Sequence, residues 1–280
     1  MITPSTSGSD RPRITLVTPS YQQADFLEAT ILSVFGQNYP NLEYILVDGG
    51  STDGSLEIIK RYREKLSFWV SEKDRGQSDA INKGFLHSTG MILGWLNSDD
   101  MLEPGALRHV AETLAAPDTE RWLIGAGRII DADGRPLFHR SPAAAVTRKS
   151  LLRWHKNWFA QPSTFWTRSL WEKAGPLDPD LHYAQDLDLW LRMKDVAEPV
   201  ITTAVLSVSR FHKNAKGYKD RYEVARAIAG ITKKRGRHRE RLYLLLSRLE
   251  LAANYLWNCC SDRVKKVFLQ RQERARSKGS

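Results

Sequence analysis

Two carboxylates stand side by side at Asp99 and Asp100, after the apolar run Met91-Ile92-Leu93-Gly94-Trp95-Leu96 and the turn residues Asn97-Ser98. An adjacent pair of this kind is a hard oxygen site. Mg²⁺ and Mn²⁺ are commonly held by one or two carboxylates, with water and substrate phosphates completing the shell. The same residue types also make turns and helix N-caps. Asp48 closes a second apolar run, Tyr44-Ile45-Leu46-Val47, and opens the cluster Gly49-Gly50-Ser51-Thr52-Asp53-Gly54. Glycines there let the backbone approach a ligand, and Asp48 could accept hydrogen bonds from a base or a ribose. Asp53 is expected to cap the helix that follows. A third pair, Asp186 and Asp188, lies two residues apart in Gln185-Asp186-Leu187-Asp188-Leu189-Trp190-Leu191-Arg192. A helix turns such residues to different faces, so at most one of them faces a site. A carboxylate beside a metal-diphosphate centre is suited to removing a proton from a hydroxyl; helix capping explains the pair equally well.

The elements that must hold these groups read as alternating strands and helices. Ile14-Thr15-Leu16-Val17-Thr18 is a strand stopped by Pro19, and Leu27, Ile31, Leu32 and Phe35 recur at helical spacing. The run 44–47 is short and continuously apolar, as a strand buried on both faces is. A helix through Leu56, Ile59 and Tyr62, a strand at Phe68-Trp69-Val70, a helix from Ala80 to His87, the strand 91–96, a helix from Pro104 to about Ala116 and a strand at Trp122-Leu123-Ile124 follow. This order implies a mostly parallel sheet with helices on both faces. Ligands of such sheets bind beyond the carboxyl ends of the strands, and the polar clusters 18–23, 48–55 and 97–100 all fall there. Beyond residue 130 the pattern is less regular. Asp131-Ala132-Asp133-Gly134 reads as a hairpin turn, and Val200 to Val208 as a strand before Phe211-His212. The stretch containing Trp154, Trp158, Phe159, Phe165, Trp166, Trp171 and Trp190 is aromatic-rich. Such residues are most often core; the functional reading is a platform for an acceptor sugar.

Composition excludes several classes. The 280 residues hold two cysteines, Cys259 and Cys260, which are adjacent and cannot staple a fold. No Cys-x-x-Cys, His-Glu-x-x-His, Gly-x-Gly-x-x-Gly or Walker A pattern occurs, which argues against a zinc site, a dinucleotide site or a P-loop. No apolar run is long enough to span a bilayer, and residues 1–13 lack the apolar core of a signal peptide. A cytoplasmic protein, peripheral at the inner face of a membrane if it is there at all, is the expectation. The net charge of +10 first points to nucleic acid. Its distribution reverses that reading. Residues 1–212 carry 23 Lys+Arg against 26 Asp+Glu, a charge of −3, while residues 213–280 carry 19 against 6, a charge of +13. The basic excess is confined to a tail that holds no base-reading module, so nucleic acid is not an expected partner. In that tail Leu242, Leu245, Leu246, Leu249, Ala253 and Leu256 follow helical spacing, after a cluster at Lys233-Lys234-Arg235, Arg237, Arg239 and Arg241. Residues 233–257 therefore suit an anionic membrane surface; packing on the body or on a second copy in a homo-oligomer suits them as well.

In combination and order these segments resemble the family 2 glycosyltransferases, the inverting group with the GT-A fold. The matching stretches are Thr18-Pro19-Ser20-Tyr21, Ser33 through Gln37-Asn38-Tyr39-Pro40-Asn41, Glu43 through Ser55, Asp79-Ala80-Ile81-Asn82-Lys83-Gly84, Asn97-Ser98-Asp99-Asp100 and Gln185 through Arg192, across residues 13–212. The resemblance implies an α/β GT-A fold, Rossmann-like, with a C-terminal helical appendage. It divides the chain into a flexible start (1–12), a catalytic domain (13–215) with a nucleotide half (13–130) and an acceptor half (131–215), and a basic helical region (216–280). It implies a nucleotide-sugar donor, UDP by family habit, a Mn²⁺ or Mg²⁺ cofactor, and a glycan or lipid-linked acceptor of surface polysaccharide synthesis. By carry-over Asp48 contacts the nucleoside, with Pro19 and Tyr21 lining its pocket. Asp99 lies nearer the ribose, Asp100 is the metal ligand with His212 as a further contact, and Arg75, Asp79 and Lys83 face the donor. Asp186 takes the place of the catalytic base, with Gln185 where the family usually has Glu. Two other readings fit the fold. A sugar nucleotidyltransferase would carry a Gly-rich basic loop near its N-terminus, which is absent here. A non-catalytic binding protein would have no reason to keep Asp48, Asp99, Asp100 and Asp186 together.

Overall fold

A computed structural model of the protein describes residues 11–115, 119–213, 215–216 and 221–237, with the single positions 240, 245 and 249. The first half alternates as the apolar periodicity requires: β1 (Ile14–Ser20), α1 (Ala24–Phe35), β2 (Leu42–Asp48), α2 (Ser55–Tyr62), β3 (Phe68–Ser71), α3 (Gln77–Leu86), β4 (Ile92–Trp95), β5 (Met101–Leu102) and α4 (Ala106–Thr113). The second half runs β6 (Trp122–Ile130), β7 (Pro136–Arg140), α5 (Arg148–Leu152), α6 (Trp154–Asn157), β8 (Thr164–Thr167), α7 (Arg168–Ala174), α8 (Gln185–Val196), β9 (Pro199–Arg210) and α9 (Arg221–Arg235).

All these strands join one sheet, ordered β3-β2-β1-β4-β8-β6-β9-β5, with β7 beside β6. The expectation of a mostly parallel sheet holds only in part. The strands β3, β2, β1 and β4 are parallel, as is the β6–β9 pair. By contrast β4–β8, β8–β6, β6–β7 and β5–β9 are antiparallel. The first four strands are linked by crossover helices, which enforce parallel pairing; the turn at residues 131–135 makes a hairpin, which enforces the opposite. The order reverses between β1 and β4, since β2 and β3 lie on one side of β1 and all later strands on the other. Crevices open at such a reversal.

Helices cover both faces. Leu27, Ile31, Ile59 and Leu107 pack from α1, α2 and α4 onto one face. Ile81, Leu170, Leu187 and Trp190 pack from α3, α7 and α8 onto the other. Gly84 lets α3 lie directly on β1, because a Cβ there would collide with Val17 Cγ1. The aromatic stretch is largely core. Trp190 of α8 stacks against Trp95 of β4 at 5.7 Å and Trp122 of β6 at 5.8 Å, and all three are buried.

The tail's charge is used on the body. Arg235 of α9 donates to Asp188 Oδ1 at 2.6 Å and to Oδ2 at 3.1 Å, and Arg192 donates to the same Oδ2 at 2.9 Å. Lys234 reaches Asp178, and Arg237 reaches Asp195, which also pairs with Arg148. Ile228 and Ile231 are buried in the core beside α8. Lys234, Arg235 and Arg237, expected as part of a surface-seeking cluster, are thus bound to body carboxylates, because a buried or half-buried acid on an acidic body draws them in. Arg239, Arg241, Cys259, Cys260 and most of the leucine stripe lie outside the described residues; Leu245 and Leu249 are exposed. No described helix is long and apolar enough to cross a membrane.

Replacing Asp188 with Ala leaves two guanidiniums without their buried partner. We expect a loss of about 3 kcal/mol in denaturant unfolding, the range for breaking a buried ion pair by removing one side. A loss below about 0.5 kcal/mol, typical of surface substitutions, would show that the triad does not hold α8.

Candidate functional site

A cavity of about 1080 Å³ opens at the carboxyl ends of β1 and β4. One end is walled by Pro19, Tyr21, Gly49, Lys73 and Asp74, the middle by Asn97, Ser98, Asp99 and Asp100, and the far end by Trp158, Phe159, Gln161, Tyr183, Asp186 and Phe211. Ser20 also lines it, and its Oγ is buried with no hydrogen-bond partner among the described residues.

The Asp99-Asp100 turn is held by α1. Thr30 and Ser33 of α1, with Gln37 just past its end, bond to the turn and to the residues that follow it. Thr30 Oγ1 donates to the Asp100 carbonyl at 2.7 Å, Ser33 Oγ accepts from Leu102 N at 3.1 Å, and Gln37 Nε2 donates to the Glu103 carbonyl at 2.9 Å. Asp100 is buried and accepts from Arg210 N at 3.0 Å and from Asn97 Nδ2 at 3.2 Å. Burial raises its carboxyl well above the usual range, and the neighbouring Asp99 charge adds to the rise. Asp99 Oδ2 meets His212 Nε2 at 3.0 Å. His212 is therefore coupled to Asp99 rather than to Asp100, the pairing that a shared metal expectation had left open. A desolvated carboxylate beside a second one is a place where a cation gains. The donor types, two carboxylates and an imidazole, suit Mn²⁺ or Mg²⁺. Among the described residues no cluster of three such ligands stands ready to hold a metal alone, so phosphate and water oxygens would have to complete the shell.

Asp48 behaves differently from the expectation. Its side chain is buried, and it serves its own loop. Oδ2 accepts from Gly50 N, Ser51 N and Ser71 Oγ, and Oδ1 from Ser51 Oγ at 2.6 Å. The carboxylate that lines the cavity beside this loop is Asp74, which lies so close that a Cβ on Gly49 would sit 2.8 Å from its Oδ2. Burial raises the Asp74 carboxyl. Asp53 caps two helices at once, accepting from Ala24 N at 2.9 Å and from Ser55 N at 3.1 Å. Arg75, Asp79 and Lys83 do not line the cavity. Arg75 pairs with Asp79 one turn away at 3.0 Å with its side chain 70% exposed, and Lys83 pairs with Glu72 at 2.6 Å. Their neighbour Asn82 has a scaffolding use, clasping Leu177 through its carbonyl at 2.8 Å and its N–H at 2.9 Å.

At the opposite wall α8 begins in strained backbone, with Ala184 at φ 54°, a region that non-glycine residues enter at a cost of order 1 kcal/mol. The next turn aims Asp186 into the cavity and Asp188 into the ion triad. Among the described residues Asp186 has no cationic partner; its Oδ1 accepts from Leu187 N at 2.8 Å. Burial pushes its carboxyl up to about 6.

A chain of amides joins this wall to the turn. Gln185 Nε2 donates to Gln77 Oε1 at 2.7 Å, Gln77 Nε2 to Asn97 Oδ1 at 2.7 Å, and Asn97 Nδ2 to Asp100 Oδ2. Its polarity is set at the far end. Gln161 Nε2 donates to the Trp95 carbonyl at 3.0 Å, so Gln161 turns its Oε1 to Asn97 Nδ2 at 3.3 Å. The head of the chain, residue 185, must therefore be a donor, which glutamine is and ionised glutamate is not. Gln77, Gln161, Asp74, Ser20 and Arg210 were not among the sequence candidates. Ser20 falls in a matching stretch without being singled out there, and the other four are brought to the site by the fold.

The family model for glycosyl transferase family 2 matches residues 15–168. An uncharacterized glycosyltransferase of Mycobacterium tuberculosis (strain CDC 1551 / Oshkosh) is 32% identical over 199 residues, 70% of this chain and 74% of that one. Among solved structures, Staphylococcus aureus TarS 1-349 in complex with UDP-GlcNAc superposes with a TM-score of 0.64 at 16% identity, covering 90% of this chain and 77% of that one. The mannosyltransferase PcManGT of Pyrobaculum calidifontis, in complex with GDP-Man and Mn²⁺, gives 0.63 at 21% identity, covering 97% and 82%. At these identities the likeness is one of fold. The chain spans 43% of a longer TarS structure.

Gln185→Glu is expected to lower stability at pH 8 by about 1 kcal/mol or more, and by more than Gln185→Met does. An ionised carboxylate at the head of the chain makes Gln77 and Asn97 flip and sets Asn97 Oδ1 against two acceptors, whereas the methionine only removes the head donor. Denaturant midpoints of the two variants measure this; equal losses would refute the polarity.

Proposed function

The chain belongs to glycosyl transferase family 2 and has the GT-A fold, and on that premise we propose that it transfers a sugar, with inversion, from a nucleotide-sugar to a hydroxyl of a glycan or lipid-linked acceptor. The observation that carries this reading is Asp186. Its carboxyl, without a cationic partner among the described residues, is raised to about 6 in the same cavity as the Asp99-Asp100 turn.

The nucleoside lies between Pro19 and Tyr21 on one side and Gly49 and Asp74 on the other, with the diphosphate over Asp99 and Asp100. Asp48 acts at second hand, by holding the Gly49-Gly50-Ser51 backbone. Asp100, with Asp99 and His212, would hold Mn²⁺ or Mg²⁺, which supplies charge neutralisation for the departing diphosphate. Asp186 accepts the proton of the acceptor hydroxyl as that oxygen bonds to the anomeric carbon. The bond from that carbon to the diphosphate oxygen breaks on the opposite face. One displacement inverts the centre, and the electron pair leaves on the nucleotide. A base with a pKa near the working pH is effective because it is both ionised and basic. UDP is the nucleotide proposed, and synthesis of a surface polysaccharide is the setting. Structural relatives holding UDP-GlcNAc and GDP-Man support the donor class.

Asp186→Asn is expected to cut transfer about 10³-fold while the nucleotide dissociation constant stays near the parental value. Transfer at the parental rate would refute the base assignment. Because the raised carboxyl must be ionised to act, kcat/KM of the parent should fall with one-proton slope as pH drops through about 6; a rate flat down to about pH 5, a full unit below that value, would show that another group is the base. Asp100→Ala should remove the part of nucleotide affinity that depends on Mn²⁺, read by calorimetry with and without the ion. Thermal shifts across UDP-, GDP- and dTDP-sugars with Mn²⁺ identify the nucleotide, and no shift with any of them would refute the transferase reading.

A further inference from the structure

Asp188 and Asp100 are both buried acids, and the fold holds them in opposite ways. Asp188 is held by two guanidiniums, which neutralise it. Asp100 instead receives two neutral donors, Arg210 N at 3.0 Å on Oδ1 and Asn97 Nδ2 at 3.2 Å on Oδ2. The first is main chain at the end of β9. The second is a side chain on a turn, so whatever fixes the Asn97 amide also fixes Asp100. Every polar position of that amide is used. One N–H goes to Asp100, the other to Gln161 Oε1 at 3.3 Å, and Oδ1 accepts from Gln77 Nε2 at 2.7 Å. A half-turn of the amide would set Oδ1 against two acceptor oxygens, so an N–H stays on Asp100. Gln77 is oriented in turn by Gln185 Nε2 at 2.7 Å, and Gln161 by the Trp95 carbonyl at 3.0 Å. The four amides come from four segments: the starts of α3 and α8, the turn after β4 and the approach to β8.

Gln77, Asn97 and Gln161 line the large cavity. With Gln185 they also line a smaller one of about 210 Å³, whose wall includes Val224 and Ile228 of α9. Side chains that border open space are not held by close packing, so their hydrogen bonds must orient them. We infer that Gln77, Gln161 and Gln185 are positioning residues for a divalent cation: through Asn97 they fix the plane of the Asp100 carboxylate and leave its charge for the ion. Neutrality is what makes amides suitable. A lysine or arginine at the position of Asn97 would orient Asp100 as well, but would neutralise it in an internal ion pair, as happens to Asp188. Bonded in series, the amides polarise one another and stiffen the wall. Groups that orient a metal's ligands commonly decide its affinity. This role rests on the transferase reading, which supplies the ion.

The test uses the full chain and Mn²⁺ as the probe, followed by electron paramagnetic resonance of the free ion, alone and with UDP or GDP. Gln77→Met keeps the length of the side chain and removes its hydrogen bonds. It should weaken Mn²⁺ binding about tenfold, the lower end of what losing the support of a metal ligand costs. Gln185→Met acts two amides away from Asp100 and should weaken it by less, in the same direction. Nucleotide affinity without Mn²⁺ should stay at the parental value in both, which separates this role from a general loss of fold or pocket shape. Gln161→Met, on another segment, carries the measurement if Gln77→Met does not fold. Parental Mn²⁺ affinity in all three variants overturns the inference, whatever happens to their melting temperatures. So does an equal loss of nucleotide affinity with and without the ion, or a parent that binds no Mn²⁺ under either condition. If Mn²⁺ binds and weakens in Gln77→Met while no nucleotide binds, the transferase reading fails and the positioning role stands. If nucleotide binds with Mn²⁺ and the variants keep the parental ion affinity, the transferase reading stands and the positioning role fails.

Discussion

Asp188 is buried between two guanidiniums, Arg192 from its own helix and Arg235 from the C-terminal helix, and this ion triad governs how α8 is rolled against the sheet. Burying a carboxylate is costly unless it is paired, and this orientation of the helix gives Asp188 two guanidiniums. In that orientation Trp190 stacks between Trp95 and Trp122, and Asp186, two residues before Asp188, turns the other way into the cavity. The left-handed backbone at Ala184 is the local cost of starting the helix at this angle. Among the described residues Asp186 has no counter-ion, and burial raises its carboxyl to about 6.

The same electrostatics accounts for the uneven charge of the chain. The body carries −3 and the tail +13, and three basic residues of the tail, Lys234, Arg235 and Arg237, settle on Asp178, Asp188 and Asp195. Arginine is suited to such sites because its planar fork bonds to both carboxylate oxygens. Among the described residues no comparable partner is given to Asp186, and Asp100 receives a backbone N–H and an amide. Burial then raises both carboxyls. Acids at one end of α8 and on the Asp99-Asp100 turn are thus left able to respond to a ligand, while the acids beneath them are neutralised by the tail.

Residues that look like reagents in the sequence are often supports. Ser33 and Gln37 fall in a matching motif, and both hold the carboxylate turn onto α1. Asn82 clasps the loop leading to α8. Asp48 is buried inside its own glycine loop, and Asp74, which no motif marks, takes its place in the cavity wall. Arg75 and Lys83 pair with the nearby acids Asp79 and Glu72 and do not line the cavity. The amide chain from Gln185 to Asp100 adds a connection between opposite walls. It uses neutral groups, and its direction is set by hydrogen-bond polarity rather than by charge.

Much of the fold was legible in the sequence alone. Apolar runs and helical spacing are local properties, and they place the strands β1 to β4 and β6 with the helices between them, the hairpin that follows and the polar strand ends that line the cavity; the two-residue β5 they do not mark. The order and type of the Asp99-Asp100, Asp48 and Asp186 segments also identify the family. What only the tertiary structure decided is pairing. Strand direction in the second half, the choice between Asp186 and Asp188, the burial of Asp48 and the emergence of Trp158 from an otherwise buried aromatic stretch all depend on residues far away in the chain. Arg235 lies 47 residues from Asp188 and Gln77 108 residues from Gln185. A side chain's periodicity shows which face it occupies; only the partner brought against that face shows whether it is neutralised, covered or left free to act.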